Sequence, residues 1–105
     1  MIKVSVLYPH SASAKFDMDY YLSKHIPMVK QKLGGACKGV SVEQGMGGGG
    51  PGTPPTYTAM AHLLFDSPES FNAAFAPHAK AIMSDIPNYT TIQPVIQMSE
   101  VKLER

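Results

Sequence analysis

Apolar and polar positions alternate at the start of the chain. The even positions of residues 2–8 are Ile, Val, Val and Tyr, whereas the odd positions are Lys, Ser and Leu. A period of two is typical of a β-strand, and Pro9 ends this one. Weaker signals of the same kind predict further strands at about 38–44, 57–65 and 91–101.

A helical period replaces this alternation in residues 17–33. The residues spaced to form one apolar side are Met18, Leu22, Ile26, Val29 and Leu33. Tyr21 and His25 lie beside this stripe at a spacing of four, so a phenol and an imidazole could border one cavity. Pro27 lacks an N–H, which predicts a break of the helix near residues 24–25. Gly34 and Gly35 suit the turn that follows the helix.

A second helical region begins at residue 66. Asp66-Ser67-Pro68-Glu69 combines a capping residue, a proline in the first turn and an early acid. The residues on its common side are Phe71, Phe75, His78 and Ile82. Pro77 interrupts the pattern and predicts two short helices. The resulting order, βαββαβ, predicts an α+β fold of ferredoxin-like type with a four-stranded antiparallel sheet.

The predicted third strand is apolar on both faces. Its odd positions from 57 to 65 are Tyr, Ala, Ala, Leu and Phe, and Met60, His62 and Leu64 occupy the other face. One layer of helices would bury only one face of such a sheet. The pattern therefore predicts a homodimer in which two sheets meet face to face.

Composition narrows the class of protein. A chain of 105 residues is expected to form one domain over residues 1–105. Charged residues make up only 16% of it and the net charge is +1, so neither nucleic acid nor a membrane surface is expected as a partner. The apolar run at the amino terminus is too short to span a membrane. Cys37 is the single cysteine, which excludes an intramolecular disulfide and fits a cytoplasmic location.

A glycine-proline run separates the second and third predicted strands. Gly45, Gly47 and Gly50 match G-x-G-x-x-G, but Pro51 and two further prolines lead into a strand rather than a helix. A dinucleotide site needs the N-terminus of a helix at that point. Residues 45–56 are therefore predicted to form a mobile loop, with a lid or an arm to another subunit as the alternative.

Four histidines are candidates for chemistry. His10 is expected in a polar loop, and His62 is either a histidine of the dimer core or a base in the pocket. His78 lies in the second apolar stripe, where a buried structural role competes with a functional one. His25 has the strongest pattern, although ending the helix is an alternative role. No metal-binding spacing joins the four, so no metal site is predicted.

Other kinds of catalytic chemistry lack support in the residues. Cys37 has no histidine beside it, and no serine lies in a G-x-S-x-G elbow. The aspartates do not form a recognisable catalytic pair. Acid-base chemistry by histidine and tyrosine in an apolar cavity remains, because a histidine can exchange a proton near neutral pH and a tyrosine can hold an oxygen. Such chemistry requires no cofactor.

Four segments together resemble the EthD-like family, named for ethyl tert-butyl ether degradation. They are Ile2–Pro9, Asp19–Pro27, Phe75–His78 and Asp85–Thr90. The resemblance spans nearly the whole chain and implies a dimeric α+β barrel. Wider relatives carry out cyclisation, isomerisation, cofactor-independent oxygenation and haem breakdown, so it permits an oxidoreductase role and a haem with His25 or His78 as axial ligand.

Two hypotheses of function follow. In the first, a pocket binds a small apolar or aromatic carbonyl, phenolic or quinone-like compound of a catabolic pathway, with His25 as base, Tyr21 as oxygen anchor and His78 as a further catalytic candidate. The residues predicted to contact the ligand are Tyr8, His62, Phe75 and Tyr89, the last of which could instead anchor a turn. In the second, the protein is a non-catalytic accessory or ligand-binding protein of a degradation pathway. A third possibility is that side chains fill the cavity.

Overall fold

The computed structural model describes residues 1–104 and contains a four-stranded antiparallel sheet. Its strands are β1 (Ile2–Pro9), β2 (Gly39–Gln44), β3 (Tyr57–Phe65) and β4 (Val95–Glu100), in the spatial order β2-β3-β1-β4. The predicted ferredoxin-like architecture is confirmed. β4 is shorter than predicted, because residues 91–94 lie outside the ladder and end in Pro94, which has no N–H to donate.

Helical segments connect the strands. The first connection comprises α1 (Met18–Tyr20), a π-helical turn (Tyr21–His25), α2 (Ile26–Leu33) and a 3₁₀ turn (Gly34–Ala36). The second comprises α3 (Pro68–Phe75), a 3₁₀ turn (Ala76–His78), α4 (Ala79–Ser84) and another 3₁₀ turn (Ile86–Asn88). The Ser67 side chain caps α3 by accepting from the N–H of Ser70. The start of this region and its division near Pro77 are thus as predicted.

The ladder register separates the two faces of the sheet. Val4 lies opposite Leu63 on β3 and opposite Met98 on β4, so these side chains share the face toward the helices. Ser5 lies opposite His62, and both share the other face. From Ala59 to Phe65 of β3 the residues toward the helices are buried and the intervening ones are half-buried. The main core therefore lies between the sheet and the helices.

The predicted apolar stripe of the first helix needs correction. Leu22 is 50% exposed, whereas Tyr21 and His25 are buried together with Val29 and Leu33. The backbone does not break near residue 25: it stays helical, and the N–H of Ile26 donates to the carbonyl of Tyr21 in the i→i+5 pattern of a π-helix. The wider turn changes the helical phase, which brings Tyr21 and His25 into the buried side.

The loop that joins β2 and β3 has hydrogen bonds of its own. Gly48 N–H donates to the carbonyl of Thr53, and the Thr53 hydroxyl donates to the carbonyl of Gly50. At Gly45 a Cβ atom would lie 2.1 Å from the carbonyl oxygen of Tyr57, so the backbones approach too closely for any side chain. The mobility of this loop stays a prediction.

The chain after α4 packs against the chain before α1. The N–H of Asp17 donates to the carbonyl of Tyr89 at 2.7 Å, and the Thr90 hydroxyl donates to the carbonyl of Lys15 at 2.6 Å. An isolated β-bridge pairs Phe16 with Thr90. These bonds hold residues 85–90 beside the π-helical turn, although the two segments are far apart in sequence.

Candidate functional site

An apolar cavity of about 220 Å³ lies between the helices and the facing side of the sheet. Its lining comes from β1, the π-helical turn, α2, β3, α3 and α4, and is apolar apart from Tyr8, Tyr21 and His25. Ile96 on the edge strand β4 also lines it and is 49% exposed, so the cavity reaches the surface at that edge. The polar side chains that could bind or react with a ligand are thus confined to one part of an otherwise apolar cavity.

The π-helical turn presents two of these polar groups. The Asp17 side chain caps the helix by accepting from the N–H of Tyr20, which fixes where the helix begins. In a regular α-helix the Pro27 ring would clash with the carbonyl four residues earlier. The wider turn relieves that clash and stacks the Tyr21 and His25 rings, with centroids 5.4 Å apart and planes 13° apart. Both side chains consequently border the cavity.

His25 forms a close pair with Asp85. Nδ1 of the imidazole lies 2.8 Å from Oδ2 of the carboxylate. Burial lowers the pKa of His25, and the opposing effect of Asp85 does not overcome it. The imidazole is therefore neutral near pH 7, with Nδ1–H donating to the carboxylate and Nε2 left as an acceptor. This is the protonation state required of a general base.

Three donors hold the Asp85 carboxylate. Besides His25, the Tyr20 hydroxyl donates to Oδ1 at 2.7 Å and the Asn88 side-chain amide donates to Oδ1 at 2.9 Å. Desolvation would raise the pKa of Asp85, but the hydrogen bonds from Asn88, His25 and Tyr20 lower it overall. The carboxylate is therefore ionised, which fixes the orientation and tautomer of the imidazole.

Tyrosine hydroxyls occupy the other side of the imidazole. Tyr8 Oη and Tyr89 Oη are 2.6 Å apart, and Tyr89 Oη lies 3.5 Å from Nε2 of His25. Burial raises the pKa of both tyrosines far above the ordinary value, so both are neutral phenols. A continuous series of side-chain contacts thus runs from the surface to the cavity wall through Asp85, His25, Tyr89 and Tyr8.

The Tyr21 hydroxyl extends this group of phenols. The residue is 1% exposed, and its hydroxyl has the Tyr8 hydroxyl as a hydrogen-bonding neighbour. Burial first, and the nearby Tyr8 second, raise its pKa far above the ordinary value. Tyr21 is therefore a neutral phenol, whose O–H can donate to an occupant of the cavity while its oxygen accepts from Tyr8.

The structure brings some of the predicted site residues together and separates others. Tyr8, Tyr21, His25 and Phe75 line the cavity, and Tyr89 lies directly behind His25. His78 does not line it among the described residues, because the 3₁₀ turn at Pro77 changes the helical phase on which its predicted position depended. His10 bonds Thr58 on the exposed surface.

His62 also lies outside the cavity, on the opposite face of the sheet. Strand alternation places Ala61 and Leu63 toward the helices and His62 away from them. There Nδ1 of His62 lies 2.8 Å from the Ser5 hydroxyl, and Nε2 lies 3.1 Å from the Glu43 carboxylate. The prediction that His62 shares one pocket with His25 therefore needs correction.

Sequence reasoning missed Asp85, Tyr20 and Asn88 as parts of the site. Tyr20 faces a separate surface groove, but its hydroxyl reaches the carboxylate that His25 uses. The available signal was Asp85 three residues before Asn88, the spacing of a local side-chain hydrogen bond. Nothing in that spacing pointed to His25.

The described residues around the cavity match neither a metal site nor an enclosed haem site. Within residues 1–104, no group of three or more His, Cys, Asp or Glu side chains could hold a metal ion. A space of about 220 Å³ is too small to enclose a porphyrin. The residues present therefore do not fit an enclosed haem. In the same described range, no helix is both long and apolar enough to cross a membrane.

The fold and the site together define an α+β protein of ferredoxin-like type with a small apolar cavity and a histidine-aspartate pair in its wall. Residues 9–93 match the EthD domain. The chain belongs to the EthD family, as the sequence resemblance indicated.

Similar proteins extend this result. An uncharacterized 11.0 kDa protein in the thcB-thcC intergenic region of Rhodococcus erythropolis is 34% identical over 97 residues, which cover 87% of this chain and 85% of that protein. The crystal structure of an EthD-like protein from Ralstonia eutropha JMP134 has a TM-score of 0.95 at 49% identity and covers 99% of this chain and 94% of that one.

A more distant structure shares only the fold. A dimeric ferredoxin-like protein of unknown function from Thermobifida fusca YX has a TM-score of 0.58 at 15% identity, with 95% of this chain and 90% of that chain covered.

Proposed function

We propose that the protein binds a small, largely apolar carbonyl, phenolic or quinone-like compound in its cavity and transfers a proton on it, with His25 as base and Tyr21 as the group that holds the ligand oxygen. The observation that carries this proposal is the lining of the cavity, which is apolar except for Tyr8, Tyr21 and His25. An apolar ligand with one polar end matches such a site.

The His25–Asp85 pair supports proton transfer rather than simple packing. A buried histidine with a structural role needs both ring nitrogens satisfied. Here Nδ1 is satisfied at 2.8 Å, whereas the contact of Nε2 with Tyr89 is 3.5 Å long. A carboxylate that fixes one nitrogen of an imidazole leaves the other free to accept a proton.

The cavity is too small for a large ligand. A cavity of about 150 Å³ lined by aliphatic and aromatic side chains is known to accept benzene. At about 220 Å³, this one has room for a single ring with a short substituent. That size favours a monocyclic compound.

We also propose that the chain forms a homodimer through the face of the sheet that carries Met60 and Leu64. These apolar side chains are only half-buried within one chain. The similar Thermobifida fusca structure is described as dimeric. Met60→Glu should convert a dimer to a monomer in light scattering, because face-to-face packing would bury the introduced carboxylate. A natural protein that is monomeric at high concentration would refute this part.

Two-dimensional NMR tests the site and the ligand class together. The protein is titrated with phenols, quinones, lactones and haem while backbone and histidine-ring signals are followed. We expect saturable shifts centred on Tyr21 and His25, and at least about tenfold weaker binding in Tyr21→Phe, which loses one hydrogen bond to a buried ligand. Tyr57→Phe is the matched control, because Tyr57 lies outside the cavity lining in the described chain.

Turnover then separates an enzyme from an accessory protein. Any ligand that binds is incubated with the natural protein and with His25→Gln, and products are followed by NMR. Loss of turnover with retained binding in the variant supports a base. Binding without turnover of any ligand supports a non-catalytic ligand-binding protein of a degradation pathway. Scattered or absent shifts would refute the cavity as a ligand site.

A further inference from the structure

We propose that the ligand is a small neutral phenol, whose O–H donates to Nε2 of His25 and whose oxygen accepts a hydrogen bond from Tyr21. This inference rests on the proposed function and makes it narrower, because it selects the phenolic class over the carbonyl and quinone-like classes. It depends on the direction of each hydrogen bond at the polar end of the cavity.

The direction of any hydrogen bond at Nε2 of His25 is fixed by Asp85, which contacts the other ring nitrogen. Asp85 Oδ2 has no proton to give when the carboxylate is ionised, so Nδ1 of His25 must carry the hydrogen of the 2.8 Å contact. A neutral imidazole has one N–H, which leaves Nε2 with a lone pair and no hydrogen. A ketone or quinone oxygen also brings only lone pairs. The complementary ligand group at Nε2 is therefore a donor.

The present partner of Nε2 leaves room for such a donor. The Tyr89 hydroxyl lies 3.5 Å away, at the outer limit for a hydrogen bond, whereas it lies 2.6 Å from the Tyr8 hydroxyl. A ligand hydroxyl at ordinary distance from Nε2 would replace this long contact. Tyr89 could then donate to Tyr8 without leaving a buried polar atom unpaired.

Tyr21 supplies the second half of the recognition. Its hydroxyl has the Tyr8 hydroxyl as a polar neighbour, and a phenol oxygen can accept from Tyr8 while its own O–H donates to a ligand. Because its ring stacks on His25, both polar tips belong to one wall of the cavity. A single ligand hydroxyl can donate to one tip and accept from the other, whereas a carbonyl can satisfy only Tyr21.

Charge and shape favour a neutral aromatic hydroxyl over an anion or an aliphatic alcohol. Among the described residues that line the cavity there is no lysine or arginine, so a phenolate or carboxylate would be buried without a counter-ion. Phe71 and Phe75 border the cavity with their rings stacked at 5.2 Å, which offers flat apolar surface to a ring. A phenol is also a stronger hydrogen-bond donor than an aliphatic alcohol.

Three ligands of matched size test the inference on the natural protein. They are para-ethylphenol, its isomer para-methylanisole, which cannot donate, and acetophenone, which can only accept. Affinities come from calorimetry, and binding at the site is verified by shifts of the Tyr21 and His25 signals. We expect para-ethylphenol to bind at least about tenfold tighter than either of the others, because each of those leaves Nε2 with only its long contact to Tyr89.

The outcomes separate this inference from the proposed function. A phenol preference at the Tyr21 and His25 signals supports both. Equal affinities at the same signals overturn the phenol inference and leave the proposed function standing. No saturable shift at that site with any of the three ligands overturns both. Nitrogen-15 NMR of the His25 ring provides an independent check, since a hydrogen on Nε2 in the free protein would overturn the phenol inference.

A variant should reverse the preference. In Asp85→Asn, the donors Tyr20 and Asn88 would keep the amide oxygen in the place of Oδ1, so the amide nitrogen would face Nδ1 of His25. That amide donates, which favours the tautomer with hydrogen on Nε2. We expect acetophenone to gain and para-ethylphenol to lose affinity. An unchanged phenol preference in a folded variant with hydrogen on Nε2 would overturn the inference, and a variant that does not fold leaves the three-ligand comparison as the deciding test.

Discussion

Two histidines in this molecule contact a carboxylate and a hydroxyl, yet they occupy opposite sides of the sheet. His25 contacts Asp85 and Tyr89 at the wall of the cavity, where its side chain is 6% exposed. His62 contacts Glu43 and Ser5 on the other face, where its side chain is 23% exposed. An imidazole, a carboxylate and a hydroxyl thus meet at both places, but they are removed from water to different extents.

The surroundings determine what each cluster can do. Around His25, desolvation keeps the imidazole neutral, and three donors hold the partner carboxylate. Around His62, the Glu43 side chain is 44% exposed, so water competes with every contact. A hydrogen bond in water contributes little to stability, whereas an unpaired polar group in a buried site is costly. Burial, rather than the residue types, makes the His25 cluster the candidate site.

The largest expected difference concerns the two carboxylates. Asp85→Ala should lower the free energy of unfolding by about 2–3 kcal/mol, because it leaves the buried Nδ1–H of His25 without a partner. Glu43→Ala should lower it by less than about 1 kcal/mol. Urea unfolding of both variants measures the difference. Equal losses would show that burial does not distinguish the clusters.

The second prediction concerns pH. Because the folded-state pKa of His25 lies below the unfolded value of 6.5, the unfolded state binds the proton more readily as pH falls through 6.5. Stability should therefore be complete above that pH, decline by at most about 1.4 kcal/mol per pH unit below it, and stop declining once the folded state also binds the proton. Asp85, whose pKa is also lowered, adds a loss in the same direction only below its unfolded value of 3.8.

His25→Gln should remove the decline that begins below pH 6.5. Urea unfolding at a series of pH values checks this. Curves of stability against pH that run parallel in the natural protein and the variant would mean that His25 does not titrate with folding.

The third prediction concerns the buried tyrosine pair. Tyr89→Phe removes the partner of the Tyr8 hydroxyl, which lies 2.6 Å away in a buried contact, and should cost about 1 kcal/mol of stability. Tyr57→Phe should cost almost nothing, because within the described chain no side-chain hydrogen bond engages the Tyr57 hydroxyl. Thermal unfolding compares the two, and similar losses would argue against a structural role for the pair.

The smallest effect on stability is expected on the face of the sheet that carries Ser5 and His62, away from the helices. Ser5→Ala removes the 2.8 Å contact with His62 and should cost about 0.5 kcal/mol in dilute protein, because water replaces the hydroxyl. If two sheets pack together at this face, the loss should grow at concentrations where the dimer forms. Unfolding measured across a range of protein concentrations tests both statements.

Local patterns predicted most of the fold. The alternation of residues 2–8 marked β1, the residues around Ser67 marked the start of α3, and Gly34, at φ 61°, marked the end of α2. Each of these signals lies within a few residues of the feature it specifies. Because neighbouring residues determine such local structure, the sequence of a single protein is enough to predict it.

The site was only half predictable for the same reason. Tyr21 and His25 are four residues apart, so their proximity could be read from helical spacing. Asp85 lies 60 residues from His25 and meets it only because residues 85–90 bond to the chain before α1. The π-helical turn was also missed, since Pro27 suggested a break rather than a wider turn.

The π-helical turn can also be described as an insertion. It holds one residue more than an α-helical path between Tyr20 and Ile26 would need, so deleting one residue there would favour a regular helical path, at the cost of the clash between Pro27 and the carbonyl four residues earlier, without altering the sheet. Every residue before the deletion, Tyr21 included, would rotate by about 100° relative to α2 and so leave the side on which Val29 and Leu33 are buried. A single-codon change could therefore remove or create this candidate site on an otherwise unchanged scaffold.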